Sequence, residues 1–343
     1  MAASIFRRPG ALLVLASSAF GGAAYRYNAG PSSSSSSLNP HTFTPYTLVD
    51  KETVSRTSAI FTLRNRDGAA DTEAVKDAWK HGVWSVQIKQ PQLQIGRDYT
   101  PLPPRTDSEA DSEEKMHDLR LLIRQEEGGE VSTYLHRLPE QSTIELRGPK
   151  LEWELPEDTQ EVIFIAGGTG IAPAMQIAHT LGAKPGRRMH ILWANRRREE
   201  CLGGVGDGGE LQETHDGLSS WKRFLGFAPP PAPAAKVDSQ GQGVIVRELE
   251  ALKKQGARHS SALAIQYYVD EENKFIKPQD VARNVRSKDM AQPGSRMILV
   301  SGPEGFIEHW AGKKVWIGGR ETQGQLGGVL STMDLKGWSI HKL

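Results

Sequence analysis

Apolar and polar positions change their rhythm part-way along the chain. From Thr42 to about Pro149 the apolar residues come in short runs, among them Thr57–Leu63, Val83–Lys89 and Asp118–Arg124, each bounded by Gly, Pro or charged residues. Such runs, rich in β-branched and large apolar side chains, predict strands. Only Asp71–Lys80 has a spacing that suits a helix. A succession of short strands predicts an antiparallel barrel or sandwich. From Glu161 the pattern differs: Glu161–Ala166, Met189–Ala194 and Arg296–Val300 are almost continuously apolar, and Ala172–Leu181 has helical spacing. Ala262–Val269 adds a further strand. Strands apolar on both faces, alternating with helices, predict a parallel sheet covered on both sides. The expected fold is a β-barrel domain over residues 41–155, then an α/β Rossmann-like domain over 156–343. Residues 202–243, rich in Gly, Pro and Ala, form an excursion from the second domain.

The start of the chain reads differently again. No Asp or Glu occurs in the first 49 residues, where Arg7 and Arg8 precede an apolar stretch from Gly10 to Ala24 and Arg26 follows it. An acid-free, Arg-bearing start with serines fits a mitochondrial presequence, and a basic start with a short apolar region fits a secretory signal. An uninformative tail is the third reading. The apolar stretch is shorter than the ~20 residues of a comfortable membrane span, yet Tyr25 and Tyr27 suit an interfacial anchor. Pro31 and Ser32–Ser37 then make a flexible tether. Residues 1–40 are thus expected to be a presequence or membrane anchor with a serine linker.

Charge and cysteine content narrow the chemistry. With 42 Lys+Arg against 41 Asp+Glu, no net field draws the chain toward nucleic acid. A single cysteine, Cys201, and ten histidines without an H-x-x-x-H pair leave no protein-built metal centre in view. Redox chemistry would therefore need an organic cofactor. The run Asp107–Asp118 holds six acids and one Lys; it reads as a solvated loop or as an acidic docking patch for a basic partner.

Four motifs carry candidate chemistry. In Arg97-Asp98-Tyr99-Thr100-Pro101, the guanidinium suits phosphate oxygens and the tyrosine, on the same face of a strand, suits a flat ring. The pattern also fits an ordinary strand ending in a turn. In Gly128-Gly129-Glu130-Val131-Ser132-Thr133, the glycines free the backbone, and Ser132 and Thr133 are good N-caps for a short helix through Leu135 that would seat a pyrophosphate, or the motif is a plain hairpin-to-helix turn. Ala166-Gly167-Gly168-Thr169-Gly170-Ile171-Ala172-Pro173 follows a buried strand and opens a helix, the context of a dinucleotide-binding turn. Ser301-Gly302-Pro303 ends another apolar strand, where a doubly wound sheet lines its ligand crevice.

The order of these motifs, with Ile144–Pro149 (IELRGP) between the second and third, resembles the ferredoxin–NADP reductase/cytochrome b5 reductase family. The resemblance implies an FAD-binding barrel followed by an NAD(P)H domain. Carried over by position, Arg97, Tyr99, Thr100 and Pro101 would hold the isoalloxazine and phosphate of FAD, and Gly129, Val131, Ser132 and Thr133 its pyrophosphate. Gly168, Thr169, Gly170 and Pro173 would bind the nicotinamide nucleotide, with Gly302 and Pro303 near its reactive end. Ser301 stands where the family commonly has a nicotinamide-side cysteine, so Cys201 is not that residue. Arg196 and Arg197 follow the second parallel strand, where arginines favour the 2′-phosphate of NADPH over NADH; a solvated basic turn is the plainer reading. Trp338 is read as core rather than as a flavin cover. The tail Gln325–Leu343, with the Arg-rich leader, resembles fungal mitochondrial members of the family that assist haem attachment to cytochrome c. That likeness implies an NAD(P)H-dependent flavoprotein reductase at the mitochondrial inner membrane, facing the intermembrane space, with cytochrome c and its haem lyase as partners. A general cytochrome b5 reductase-like enzyme and a non-catalytic assembly factor are the alternatives.

Overall fold

The computed structural model describes residues 37–68, 72–105, 118–207, 237–238, 241–285 and 295–343. The leader through residue 36, the acidic run from Asp107 to His117 and most of the 202–243 excursion lie outside the described residues. Residues Ser37–Leu343 form one compact unit. Among the described residues no helix is long and apolar enough to cross a membrane.

The first half is a curled antiparallel sheet. Its strands are β1 (Thr44–Thr53), β2 (Ser58–Asn65), β3 (Gly82–Gln90), β4 (Ile95–Tyr99), β5 (Leu119–Arg124) and β6 (Thr143–Glu154), in the order β4-β3-β6-β1-β2-β5. The curl closes where Leu102 N–H donates to Arg120 O at 2.7 Å and Pro101 bridges Leu121. Alternation along the strands turns Phe61, Trp84, Ile88 and Leu121 into one apolar interior. Helix α1 (Glu73–His81) is capped by Thr72, whose hydroxyl accepts from Val75 N–H. Helix α2 (Glu130–Arg137) packs against β3 and β4.

The second half is an all-parallel sheet of β7 (Glu161–Gly167), β8 (Arg188–Asn195), β9 (Ala262–Val269), β10 (Arg296–Ser301) and a C-terminal strand. Helices α3 (Ile171–Gly182), α4 (Val244–Arg258), α5 (Pro278–Val285) and α6 (Glu304–Ala311) accompany it. A short exposed hairpin, β11 (Val315–Ile317) and β12 (Arg320–Thr322), precedes the C-terminal strand β13 (Ser339–Lys342). The order β13-β10-β7-β8-β9 reverses direction between β7 and β10, and such a switch point leaves a crevice at the carboxyl ends of the strands.

Polar groups tie the halves together. Gln176, with Thr180 one of two polar residues buried on α3, is fully buried. Its Oε1 accepts from Trp84 N–H at 3.0 Å, while its Nε2 donates to Trp84 O at 3.2 Å and Pro101 O at 2.9 Å. Glu248 of α4 receives both arms of the buried Arg120 guanidinium and the Arg105 Nε at 3.0 Å.

Candidate active site

The turn after β7 is shaped by close backbone approaches. A Cβ on Gly170 would stand 2.4 Å from Ser301 O, and one on Gly167 would stand 2.9 Å from the Phe306 ring. Gly168 has φ +54°, a left-handed conformation that favours glycine. Trp193 Nε1–H donates to Gly168 O at 2.9 Å and pins the turn. Thr169 lies within this turn, and Pro173 falls in the first turn of α3, where its missing N–H costs no helical bond. The turn therefore lies against the end of β10, beside Ser301 and Gly302.

A cavity of about 820 Å³ opens beside this junction. The antiparallel sheet contributes Ser85 and Thr100, the parallel domain Pro173 and Ser301, and the chain end His341 and Leu343. Its charged wall is a network: Lys150 Nζ lies 2.8 Å from Asp98 Oδ2 and 3.0 Å from Glu152 Oε1, and Ser85 Oγ–H donates to Glu152. Strand alternation puts Asp98 and Thr100 on this cavity. Arg97 is exposed, with Nη1 donating to Gly96 O at 3.0 Å, and Tyr99 packs against the barrel interior. Burial pushes the Tyr99 phenol up to about 12. Pro101 does not line the cavity; its carbonyl is held by Gln176.

At the second motif, the sequence suggested Ser132 or Thr133 as the N-cap. Instead α2 begins at Glu130, with Gly129 as cap and no side chain bonded there. The reason is the turn at Gly128, φ +73°, which starts the helix earlier. Ser132 is buried in the first turn, where its hydroxyl donates to Gly129 O at 3.3 Å and accepts from Glu126 N–H at 3.1 Å. Val131 belongs to the barrel core, and Thr133 is half-buried. With no side chain capping them, the first amides of α2 suit an anion.

A second cavity, about 500 Å³, lies along the carboxyl edge of the parallel sheet. Gly168, Arg196, Asp270 and Pro303 line it, together with Asn195, which is 2% exposed. Neither Asn195 Oδ1 nor Nδ2 has a partner, although buried amides are almost always hydrogen-bonded. Arg124, reaching in from β5, has a buried Nε without a partner while its Nη2 pairs with Glu200. Gly302, φ +153°, brings its backbone against Gly167 O. Of the arginines after β8, Arg196 faces this cavity, Arg197 leans toward Glu199 at 3.7 Å, and Arg198 is forked onto Glu272. Cys201 is buried and burial pushes its thiol up to about 12, so it is inert.

Both cavities have the size of cofactor sites; the second has Arg196 and the glycine turn on its wall, with the unpartnered Asn195 amide and Arg124 Nε buried in its lining residues. The residues present thus fit FAD at the first and a nicotinamide dinucleotide at the second. Trp338 is 8% exposed and packs in the core; the aromatic that borders the first cavity is Trp316 of the hairpin, 73% exposed. Sequence reasoning missed Trp316, His341, Gln176 and Arg124. Gln176 alone had a readable signal, as a polar residue among the apolar residues of α3.

Residues 45–155 match the oxidoreductase FAD-binding domain family, and residues 164–221 the oxidoreductase NAD-binding domain family. The cytochrome c mitochondrial import factor CYC2 of Saccharomyces cerevisiae is 38% identical over 87 residues, covering 23% of this chain and 24% of that protein. An FAD-binding protein of Schizosaccharomyces pombe is 31% identical over 145 residues, 42% of this chain and 49% of its own length. NADH-cytochrome b5 reductase 2 of Scheffersomyces stipitis is 23% identical over 233 residues, 67% of this chain and 63% of its own length. The chain therefore spans between a quarter and under two thirds of these relatives. Among solved structures, the CS-b5R domains of human Ncb5or share the fold with a TM-score of 0.51 at 15% identity, over 78% of this chain and 64% of that one.

Proposed function

We propose that this chain, which belongs to the ferredoxin–NADP reductase/cytochrome b5 reductase family, is an FAD-dependent NAD(P)H reductase that delivers electrons to a haem acceptor. The observation that carries the reading is one cavity lined by Thr100 from the antiparallel sheet and by Pro173 and Ser301 from the parallel domain. When bound there, FAD supplies an acceptor for hydride from NAD(P)H and a donor of single electrons to the outside. Thr100 would orient the ring, Arg97 and the start of α2 would hold the phosphates, and Gly129 would let them approach. Gly168, Thr169, Gly170 and Gly302 would admit the nicotinamide nucleotide, with Pro173, Pro303 and Ser301 beside its reactive end. Arg196 on the second cavity favours a 2′-phosphate, hence NADPH.

The likeness to a cytochrome c mitochondrial import factor and the acid-free leader support a place at the mitochondrial inner membrane, facing the intermembrane space. There the acceptor would be the haem of cytochrome c, kept ferrous for attachment by a haem lyase. A second reading, a non-catalytic assembly factor with the same fold, is favoured by Ser301 at the position the family commonly gives to cysteine.

Anaerobic addition of NADPH to FAD-loaded protein is expected to bleach the flavin band at ~450 nm, at lower concentration than NADH. Flavin uptake without bleaching by either nucleotide overturns the reductase reading and leaves the assembly factor. Offering ferric cytochrome c, apocytochrome with haem, and cytochrome b5 separately sorts the acceptors. Arg97→Ala removes a charge-assisted contact to phosphate and should weaken FAD binding by ~1.5–3 kcal/mol. Equilibrium dialysis reads this, and unchanged affinity would remove Arg97 from the site.

A further inference from the structure

His341, on the C-terminal strand, lines the larger cavity and packs its ring against Trp153 at a centroid distance of 5.1 Å. Its protonation is dictated by a neighbour. Gln323 is held by the backbone of Lys342: Lys342 N–H donates to Gln323 Oε1 at 2.7 Å, and Gln323 Nε2 donates to Lys342 O at 2.9 Å. A flipped amide would set two donors and two acceptors face to face, so the orientation is fixed by the network rather than by shape. Gln323 Nε2 then directs its remaining hydrogen to His341 Nε2 at 3.0 Å. An amide nitrogen only donates, so His341 Nε2 must accept, and the ring proton must sit on Nδ1. That nitrogen has no hydrogen-bond partner among the described residues and is not one of their sealed, unpartnered atoms, so it stays accessible, on a residue of the cavity wall.

The arrangement is braced from below. Lys342 is 4% exposed, and its Nζ donates to the carbonyls of Lys313, Gln323 and Gln325, tying the foot of the β11–β12 hairpin to β13. The segment that carries Gln323 therefore cannot turn away from His341 without breaking several bonds. Burial and the nearby Lys314 ammonium push the imidazole down to about 4, so the ring is neutral at neutral pH. Glu152, Glu321 and Lys150 also border the cavity, but the ammonium is the charge that acts on His341.

We propose that His341 is a fixed, neutral hydrogen-bond donor to the isoalloxazine ring of FAD through Nδ1–H, and that Gln323 is the positioning residue that sets this tautomer. The proposal rests on the reading of this cavity as the flavin site. A neutral donor serves an electron carrier differently from a lysine. It contributes a hydrogen bond to a ring whose electron density changes with redox state, while adding no full charge to the cavity and leaving none unpaired when the ring is absent. Its strength toward the ring rises as electrons arrive, which raises the reduction potential.

The test is long-range ¹H–¹⁵N NMR of histidine-labelled full chain, with the His341→Phe spectrum identifying the signal. The expected wild-type pattern is the neutral Nδ1–H tautomer, with the Nδ1 resonance moving when FAD is added. Gln323→Glu presents only acceptors, so His341 should take a proton on Nε2, which the same spectrum reads. In His341→Phe the FAD dissociation constant should rise severalfold, up to about tenfold, and the FAD reduction potential should become more negative. An Nε2–H tautomer in wild type, or FAD uptake with an unmoved Nδ1 resonance, overturns the proposal while the flavin site stands. Absence of FAD uptake by wild type overturns both.

Discussion

Glu248→Ala should lower the free energy of unfolding by about 3–5 kcal/mol, because it strands a buried guanidinium. Arg120 is 7% exposed, and both its arms end on Glu248, which also receives Arg105. Removing the carboxylate leaves Arg120 charged, desolvated and without its partner, and takes a brace from between β5 and α4. Chemical denaturation followed by intrinsic tryptophan fluorescence checks the figure. A companion variant sharpens the argument: Arg120→Met with Glu248→Leu removes both charges and should recover most of the loss, since apolar replacements of a buried pair are often neutral or better. A double variant as unstable as the single one would show that the alanine acts through lost packing instead.

Gly170→Ala is expected to slow reduction of bound flavin by NAD(P)H roughly a hundredfold, the cost of misplacing reacting groups by about 1 Å. The added methyl would meet Ser301 O at 2.4 Å and Gly302 N at 2.9 Å, all backbone, so the turn and the end of β10 must part. Flavin content should fall far less than the rate, because the crowded atoms touch one wall of the flavin cavity and leave Thr100, Arg97 and the start of α2 in place. Anaerobic stopped-flow bleaching separates the two effects, alongside the absorbance ratio of the purified protein. A wild-type rate with intact flavin would move the transfer site away from this junction.

The fold was largely legible because burial writes itself into periodicity. Strands buried on both faces, such as Glu161–Gly167, are almost continuous apolar runs, and among the barrel strands β1 and β6 alternate over their first halves. The glycine turns were legible because close backbone approach admits no side chain. What escaped were groups whose meaning lies in a distant partner. Gln323 acts on His341 only because β13 returns to the parallel sheet, and Arg124 reaches the second cavity only because β5 abuts the turn at Gly168. The R-x-Y-T motif was legible as a unit, yet the pleat divides it: Asp98 and Thr100 line the large cavity while Tyr99 packs toward the barrel core. Trp338 and Trp316 lie in the same apolar, glycine-punctuated tail, and only the hairpin decides that the second is exposed.

The glutamine clamp also makes opening of the two halves costly. Parting the two halves like a jaw would strip Trp84 and Pro101 of the bonds made by Gln176, at ~1–3 kcal/mol for each buried group left unmet. The Arg120–Glu248 pair would have to part as well. Ligand exchange at the first cavity would therefore use the rim that the exposed Trp316 borders, without a swing of one domain from the other.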